Sequence, residues 1–160
     1  MKILYFGGQK SGKSLLAEKK ALSLCEKTYY IATYDNSFND KEMQSRIDRH
    51  KKQREDRFIT IESPKDLSFL KSGKTYLIDC LSMWILNLID DEKEIQKQLD
   101  FLEETDANIV FVLNDVSSGV IPMDKLSRKY VDLSGIVGHR VAGFCDEVYE
   151  VKLGLEVRLK

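Results

Sequence analysis

Eight residues near the start of the chain hold its most specific chemistry: Gly7, Gly8, Gln9, Lys10, Ser11, Gly12, Lys13 and Ser14. Their G-x-x-x-x-G-K-[ST] spacing lets backbone N–H groups curl around phosphate oxygens, while the head of a following helix adds a favourable dipole. Lys13 would bring a point charge to the phosphates, and Ser14 would place its hydroxyl on a Mg²⁺ ion shared with a nucleotide. Such a loop needs a second partner, an acid at the end of a buried strand that holds the metal or its water shell from across the phosphates. Asp79, which closes Tyr76-Leu77-Ile78-Asp79, has that position. An acid that merely caps the next helix would look the same, and Asp115, just beyond the next apolar run, competes for the role.

A second constellation is a charged stretch between Lys41 and Arg57, with seven basic residues and four acidic ones around His50. Arg46, Arg49, Lys51, Lys52 and Arg54 flank the histidine. One reading is a solvated helix face. The other is a cationic cradle for polyphosphate in which His50, substantially neutral at pH 7, attacks phosphorus. The second histidine, His139, lies on a late helical stretch and reads as an exposed or packed side chain.

These residues must be held by elements that the hydrophobic periodicity outlines. Residues 3–6 read as a buried strand, 14–25 as a helix and 28–33 as a second strand, which together make a βαβ unit. Asn39 and Glu42 have capping-box spacing, predicting a charged helix to about residue 53. Residues 58–62 alternate like a strand, and Ser63-Pro64 then predicts a short helix to residue 70. Apolar runs at 75–79 and 109–114 suit strands covered on both faces, with helical patterns at 81–89 and 92–104 between them. A helix over about 124–144 leads to strand-like runs at 147–151 and 155–159, joined at Gly154 as a hairpin. The expected fold is a three-layer α/β domain, mostly parallel with an antiparallel C-terminal edge, spanning residues 1–160 without a linker.

Composition narrows the function classes. A formal net charge of −1 over 160 residues argues against a polyanion-binding surface, so nucleic acid is not an expected partner. No apolar run approaches the roughly 18 residues of a membrane span, and no signal-peptide core is completed before Gly7. Cys25, Cys80 and Cys145 show neither metal-ligand nor disulfide spacing and read as core-filling thiols in a reducing, cytoplasmic setting.

The strings Gly7 to Ser14, Tyr30-Ile31-Ala32-Thr33, Glu42-Met43 with Arg46-Ile47 and His50, Thr60-Ile61-Glu62, and Leu77-Ile78-Asp79-Cys80-Leu81-Ser82 are similar in kind and order to one family. Asn114 with Gly119-Val120-Ile121-Pro122, Asp132 with Gly135, and Asp146-Glu147-Val148 extend the match over essentially the whole chain. The chain resembles the bifunctional adenosylcobinamide kinase / adenosylcobinamide-phosphate guanylyltransferase family of cobalamin biosynthesis. That resemblance implies a RecA-like P-loop fold and two reactions: phosphorylation of the aminopropanol hydroxyl of adenosylcobinamide by ATP or GTP, then transfer of GMP from GTP through a guanylylated histidine, giving adenosylcobinamide-GDP. By position His50 is that histidine and acts with Lys13 in catalysis. Gly7 to Ser14 would cradle phosphates, Thr33, Tyr34, Asp35, Lys51, Lys52, Gln53 and Arg54 would line the nucleotide site, and Glu62 and Asp79 would contact nucleotide or Mg²⁺. The resemblance also implies a cytoplasmic homo-oligomer, often a trimer.

Late in the chain the pattern departs from the family's usual one. Gly138-His139 stands where Asn-Gln is usual, Val131-Asp132 where Arg-Asp is usual, and Asp115-Val116-Ser117-Ser118 where Glu-Val-Gly and one further residue are common. These departures leave the phosphate loop and His50 untouched and bear on the corrinoid or kinase half. Two other readings compete: a P-loop kinase of another small alcohol with no covalent GMP, and a nucleotide-dependent switch protein. The second lacks a guanine-reading N-K-x-D string and a glycine hinge after Asp79.

Overall fold

The parallel apolar runs condense into a seven-stranded sheet in the order β3-β2-β4-β5-β1-β6-β7 in the computed structural model, which describes residues 1–35 and 57–160. The strands are β1 (Lys2–Gly7), β2 (Thr28–Ala32), β3 (Phe58–Glu62), β4 (Thr75–Asp79), β5 (Asn108–Asn114), β6 (Glu147–Lys152) and β7 (Leu155–Arg158). All pairings are parallel except β6 with β7, the terminal hairpin expected from the turn at Gly154. The strand ending in Asp79 is separated from β1 by β5 alone. This is the RecA-like arrangement of a P-loop domain, with the antiparallel edge foreseen at its C-terminal side.

Helix α1 (Lys13–Leu24) covers one face, and α2 (Leu81–Asn87), α3 (Glu92–Glu104) and α4 (Lys125–Phe144) cover the other. Ala17 and Ala21, one turn apart and fully buried, let α1 lie close over Ile3, Tyr5, Val110 and Val112. Opposite them, Leu4, Ile78, Ile109 and Phe111 meet Trp84, Ile85, Leu99, Val137 and Val141. Helices α3 and α4 start on aspartate caps: Asp91 accepts from Glu94 N at 3.1 Å and Asp124 from Ser127 N at 2.8 Å. Arg140 on α4 then binds Asp100 and Glu103 of α3 at 2.6 and 3.0 Å, fixing the two helices side by side.

Two expectations need separate treatment. The charged helix expected to about residue 53 lies outside the described residues. The short helix expected over 64–70 does not form; that segment is a series of turns. Its backbone groups are claimed by side chains from elsewhere rather than by their own helix. Gln98 accepts the Leu67 N–H at 2.8 Å and donates to Lys65 O at 2.9 Å, the Trp84 indole also donates to Lys65 O, and Asn87 donates to Pro64 O. Asp66 meanwhile closes a local turn by accepting from Ser68 N. Side-chain competition for the backbone therefore defeats the helix signal of Ser63-Pro64.

Gln98 is 2% exposed and serves both the Leu67 amide and the Trp84 indole. Replacing it with alanine leaves the Leu67 N–H buried without an acceptor and takes one of two acceptors from the Trp84 indole, which keeps Lys65 O. Gln98→Ala should therefore lower the free energy of unfolding by about 2–3 kcal/mol, read from urea denaturation with an unchanged m-value. A loss below about 0.5 kcal/mol would show that water replaces the amide at no penalty.

Candidate active site

The carboxyl end of β1 runs directly into the phosphate loop, and close backbone approach explains two of its glycines. A β-carbon on Gly7 would overlap the Val151 carbonyl oxygen of the neighbouring β6. Gly12 sits at φ 95°, a left-handed conformation suited to glycine, and a β-carbon there would come within 3.2 Å of Gly154 Cα in the hairpin turn. The same turn is tied to the loop by Gly154 N–H, which donates to Ser11 O at 2.8 Å. Helix α1 begins at Lys13 with no side-chain cap and no acidic residue in its first turn. Its leading N–H groups and positive dipole end are thus directed at the loop without a capping side chain on them.

Lys13 is buried at 6% exposure, its ammonium donating to Gly8 O at 3.1 Å. Burial holds its pKa below the usual lysine value, against the opposing pull of the Asp79 carboxylate. A cation held in a partly dry loop beside uncapped amides is poised for phosphate oxygens. Across from it, Ser14 Oγ donates to Asp79 Oδ1 at 3.5 Å, and the buried Tyr30 hydroxyl donates to Asp79 Oδ2 at 2.7 Å. Ser14 and Asp79 offer two hard oxygen donors side by side, which fits Mg²⁺, an ion that keeps waters and phosphate oxygens for its remaining positions. Among the described residues no group of three or more His, Cys, Asp or Glu could hold a metal by itself.

The other expected site residues fall into three groups. Glu62 and Asp79 end β3 and β4, each in register with Ala32 of β2 between them, so they lie two strand spacings apart, about 10 Å, along the same sheet edge. Thr33 is fully buried, and its hydroxyl donates to Cys80 O at 2.7 Å and accepts from Cys80 N at 3.0 Å, so its side chain braces β4; Tyr34 and Asp35 follow, half-buried. Gln9 and Lys10 are exposed at the loop crest, with Lys10 at φ 58°. His50, Lys51, Lys52, Gln53 and Arg54, with Arg46 and Arg49, lie outside the described residues.

Asp115, the rival acid, is engaged by its own loop: its carboxylate accepts from Ser117 N and Oγ and from Ser118 Oγ at 2.6 Å, bonds that hold its pKa below the usual range. Its backbone N–H donates to Gly7 O at 2.9 Å. Burial pushes the Cys80 thiol up to about 11, so it stays protonated near neutral pH, and Cys145 is buried as expected. His139 is exposed on α4.

Sequence reasoning missed Tyr30 and the hairpin turn. A tyrosine on an apolar strand reads as core, and only the pairing of β2 with β4 reveals that its hydroxyl reaches Asp79. The turn at Gly154 was legible as a hairpin, but its contact with Ser11 and Gly12 depends on β6 lying beside β1.

Comparisons with known proteins agree with this geometry. The family model for cobinamide kinase / cobinamide phosphate guanyltransferase matches residues 3–159. The chain is 36% identical to the bifunctional adenosylcobalamin biosynthesis protein CobP of Pseudomonas aeruginosa, covering 100% of this chain and 98% of the relative. It is 31% identical to the bifunctional adenosylcobalamin biosynthesis protein CobU of Salmonella typhimurium, covering all of both chains. Among solved structures, the flagellar accessory protein FlaH of Methanocaldococcus jannaschii aligns with a TM-score of 0.50 at 15% identity over 99% of this chain and 77% of that one, a likeness of fold alone.

Two outcomes follow from the loop. Lys13→Ala should lower nucleotide-dependent turnover about 100- to 1,000-fold, the effect of losing a preorganised charge, while the melting temperature holds or rises because a buried ammonium is removed. Turnover within threefold of wild type would end the phosphate-loop assignment. Asp79→Asn should raise the Mg²⁺ concentration needed for half-maximal activity by about tenfold or more. An unchanged Mg²⁺ titration would move the acidic role elsewhere.

Proposed function

The chain belongs to the cobinamide kinase / cobinamide phosphate guanyltransferase family, and from that premise we propose that it phosphorylates adenosylcobinamide and then converts the product to adenosylcobinamide-GDP. The observation that carries this reading is the uncapped head of α1, with Lys13 buried against Gly8 and Ser14 facing Asp79. That arrangement suits a triphosphate, and the family's name supplies the acceptor.

In the first reaction the acceptor hydroxyl oxygen attacks the γ-phosphorus of ATP or GTP. The bond to the bridging oxygen breaks, a nucleoside diphosphate leaves and the hydroxyl proton passes to solvent. The chain's contribution is positioning and charge: loop amides hold the phosphates, Lys13 offsets charge on the leaving oxygens, and Tyr30 orients Asp79. When bound, Mg²⁺ would supply further neutralisation of phosphate charge, held by Ser14 and Asp79.

In the second reaction a ring nitrogen of His50 attacks the α-phosphorus of GTP and pyrophosphate leaves. The phosphate of the first product then attacks the same phosphorus, the N–P bond breaks and the histidine is regenerated. Lys51, Lys52, Gln53 and Arg54 line the nucleotide on this reading, as do Tyr34, Asp35 and Glu62, while the fully buried Thr33 acts from beneath by fixing Cys80. Residues 1–160 act as one kinase/nucleotidyltransferase domain, assembled as a homo-oligomer, a trimer by family resemblance, and working in the cytoplasm. Among the described residues no helix is long and apolar enough to cross a membrane.

The test is covalent labelling by GTP carrying a label at the α-phosphate. Wild type should retain acid-labile, base-stable label, the behaviour of a phosphoramidate, and His50→Ala should retain none while still phosphorylating adenosylcobinamide, because direct transfer to a hydroxyl needs no covalent histidine. Labelling that survives in both His50→Ala and His50→Asn would show that His50 is not the nucleophile. A wild type that never labels would favour a simple P-loop kinase.

A further inference from the structure

The face of the sheet opposite α1 has a cleft of about 410 Å³, bounded by β1, β5, β6 and α4. Leu4, Phe6, Leu113 and Val148 give it apolar surface, and Asp115 and Glu150 bring carboxylates. Two glycines of α4, Gly135 and Gly138, line it where larger side chains would fill it. Ser134 lines it too: it is 4% exposed and its Oγ has no hydrogen-bond partner. The Tyr130 hydroxyl donates to Ser82 O at 3.3 Å and lies close enough to interact with the Ser134 hydroxyl, but the two do not reach hydrogen-bond geometry, so Ser134 is left without a well-formed bond. A buried hydroxyl without a partner is costly, and a polar group of a ligand would relieve it.

Position and charge say what that ligand is. Phe6 directly precedes Gly7, and the Asp115 N–H that donates to Gly7 O joins the cleft's rim to the first residue of the phosphate loop. Among the described lining residues none is lysine or arginine, and two are acidic, so the cleft repels a triphosphate. Apolar surface with hydroxyl and carboxylate oxygens suits an uncharged group that both donates and accepts hydrogen bonds, a carboxamide on an apolar frame. From Ser118 the chain continues to Val120, Ile121 and Met123, which are 94%, 78% and 96% exposed and could cover a large apolar ring. Two of the three places at which the sequence departs from the family's usual pattern, Asp115 to Ser118 and Gly138-His139, line this cleft, and the third, Val131-Asp132, does not.

We propose that the cleft under α4 is the acceptor subsite: it seats a carboxamide-bearing edge of the corrinoid, with Ser134 Oγ hydrogen-bonded to a carboxamide, and so brings the acceptor hydroxyl to the phosphate loop. This rests on the family reading of the reaction. The nucleotide then occupies the loop and the acceptor approaches from the α4 side of β1.

The experiment measures Michaelis constants for cobinamide and for GTP separately in the intact protein, with acceptor-independent labelling by GTP as a third readout. A β-carbon on Gly135 would meet no atom within 4 Å, and leucine is a better helix former than glycine, so Gly135→Leu narrows the cleft without forcing the backbone. It should raise KM for cobinamide about tenfold or more while KM for GTP and labelling stay within twofold of wild type. Ser134→Ala should raise KM for cobinamide about fivefold, the worth of one neutral hydrogen bond, with melting temperature unchanged or higher. An unchanged cobinamide KM in Gly135→Leu, or parallel loss of both substrates, overturns the subsite while leaving the family reaction standing. A wild type that neither binds nor phosphorylates cobinamide overturns both.

Discussion

The close passage of β6 along the end of β1 is the constraint on which the site depends. The Val151 carbonyl occupies the space a side chain at Gly7 would need, and the turn beyond it bonds Ser11 and abuts Gly12. The phosphate loop is thus clamped between the head of α1 and a hairpin assembled from the last residues of the chain. Its curvature is set before any ligand arrives, so binding need not spend free energy on ordering it. Glycine at these positions answers a packing demand made from nearly 150 residues away as much as the demand of phosphate itself.

Charge is distributed across the same frame with a consistent sense. On the α1 side, uncapped amides and a buried ammonium create positive potential, tempered by Asp79, which is itself held by Ser14 and Tyr30. On the α4 side, Asp115 is engaged by Ser117 and Ser118 and its pKa is held below the usual range, so it stays negative at neutral pH. A phosphate chain is therefore drawn to one side of β1 and discouraged from the other. The strand acts as a partition, and its residues alternate accordingly: Ile3 and Tyr5 pack under α1, Leu4 and Phe6 under α4.

Much of this was legible because local and global signals agreed. The loop's spacing, the apolar run ending in Asp79 and the turn at Gly154 each depend on a few neighbouring residues and appear where they were expected. The segment at 64–70 was misread because its capping signal was local while the groups that claim its backbone, Gln98, Trp84 and Asn87, come from two later helices. Tyr30 and Ser134 were illegible for a related reason. A tyrosine in a strand and a serine in a helix look like ordinary fillers until the sheet order places one against Asp79 and the other in a cleft with no partner. Pairing at long sequence separation, which periodicity does not encode, made the difference.

A single loop serving two transfers raises a question of which phosphorus is exposed to attack. Direct phosphorylation needs the γ-phosphorus presented to a hydroxyl, whereas nucleotidyl transfer needs the α-phosphorus presented to a histidine, and one rigid pose of the triphosphate cannot favour both equally. The fixed elements, Lys13 at Gly8 and Ser14 at Asp79, neutralise charge along the phosphates without selecting an attacking group. On the proposed function, selection then comes from the attacking groups themselves: the acceptor hydroxyl for the first transfer and His50 for the second. A covalent histidine suits this division, because GMP can be stored on the protein before the phosphorylated acceptor arrives. The bulky acceptor and the triphosphate then need never share the loop in the second reaction, and a clamped, preorganised cradle can serve both chemistries without being rebuilt between them.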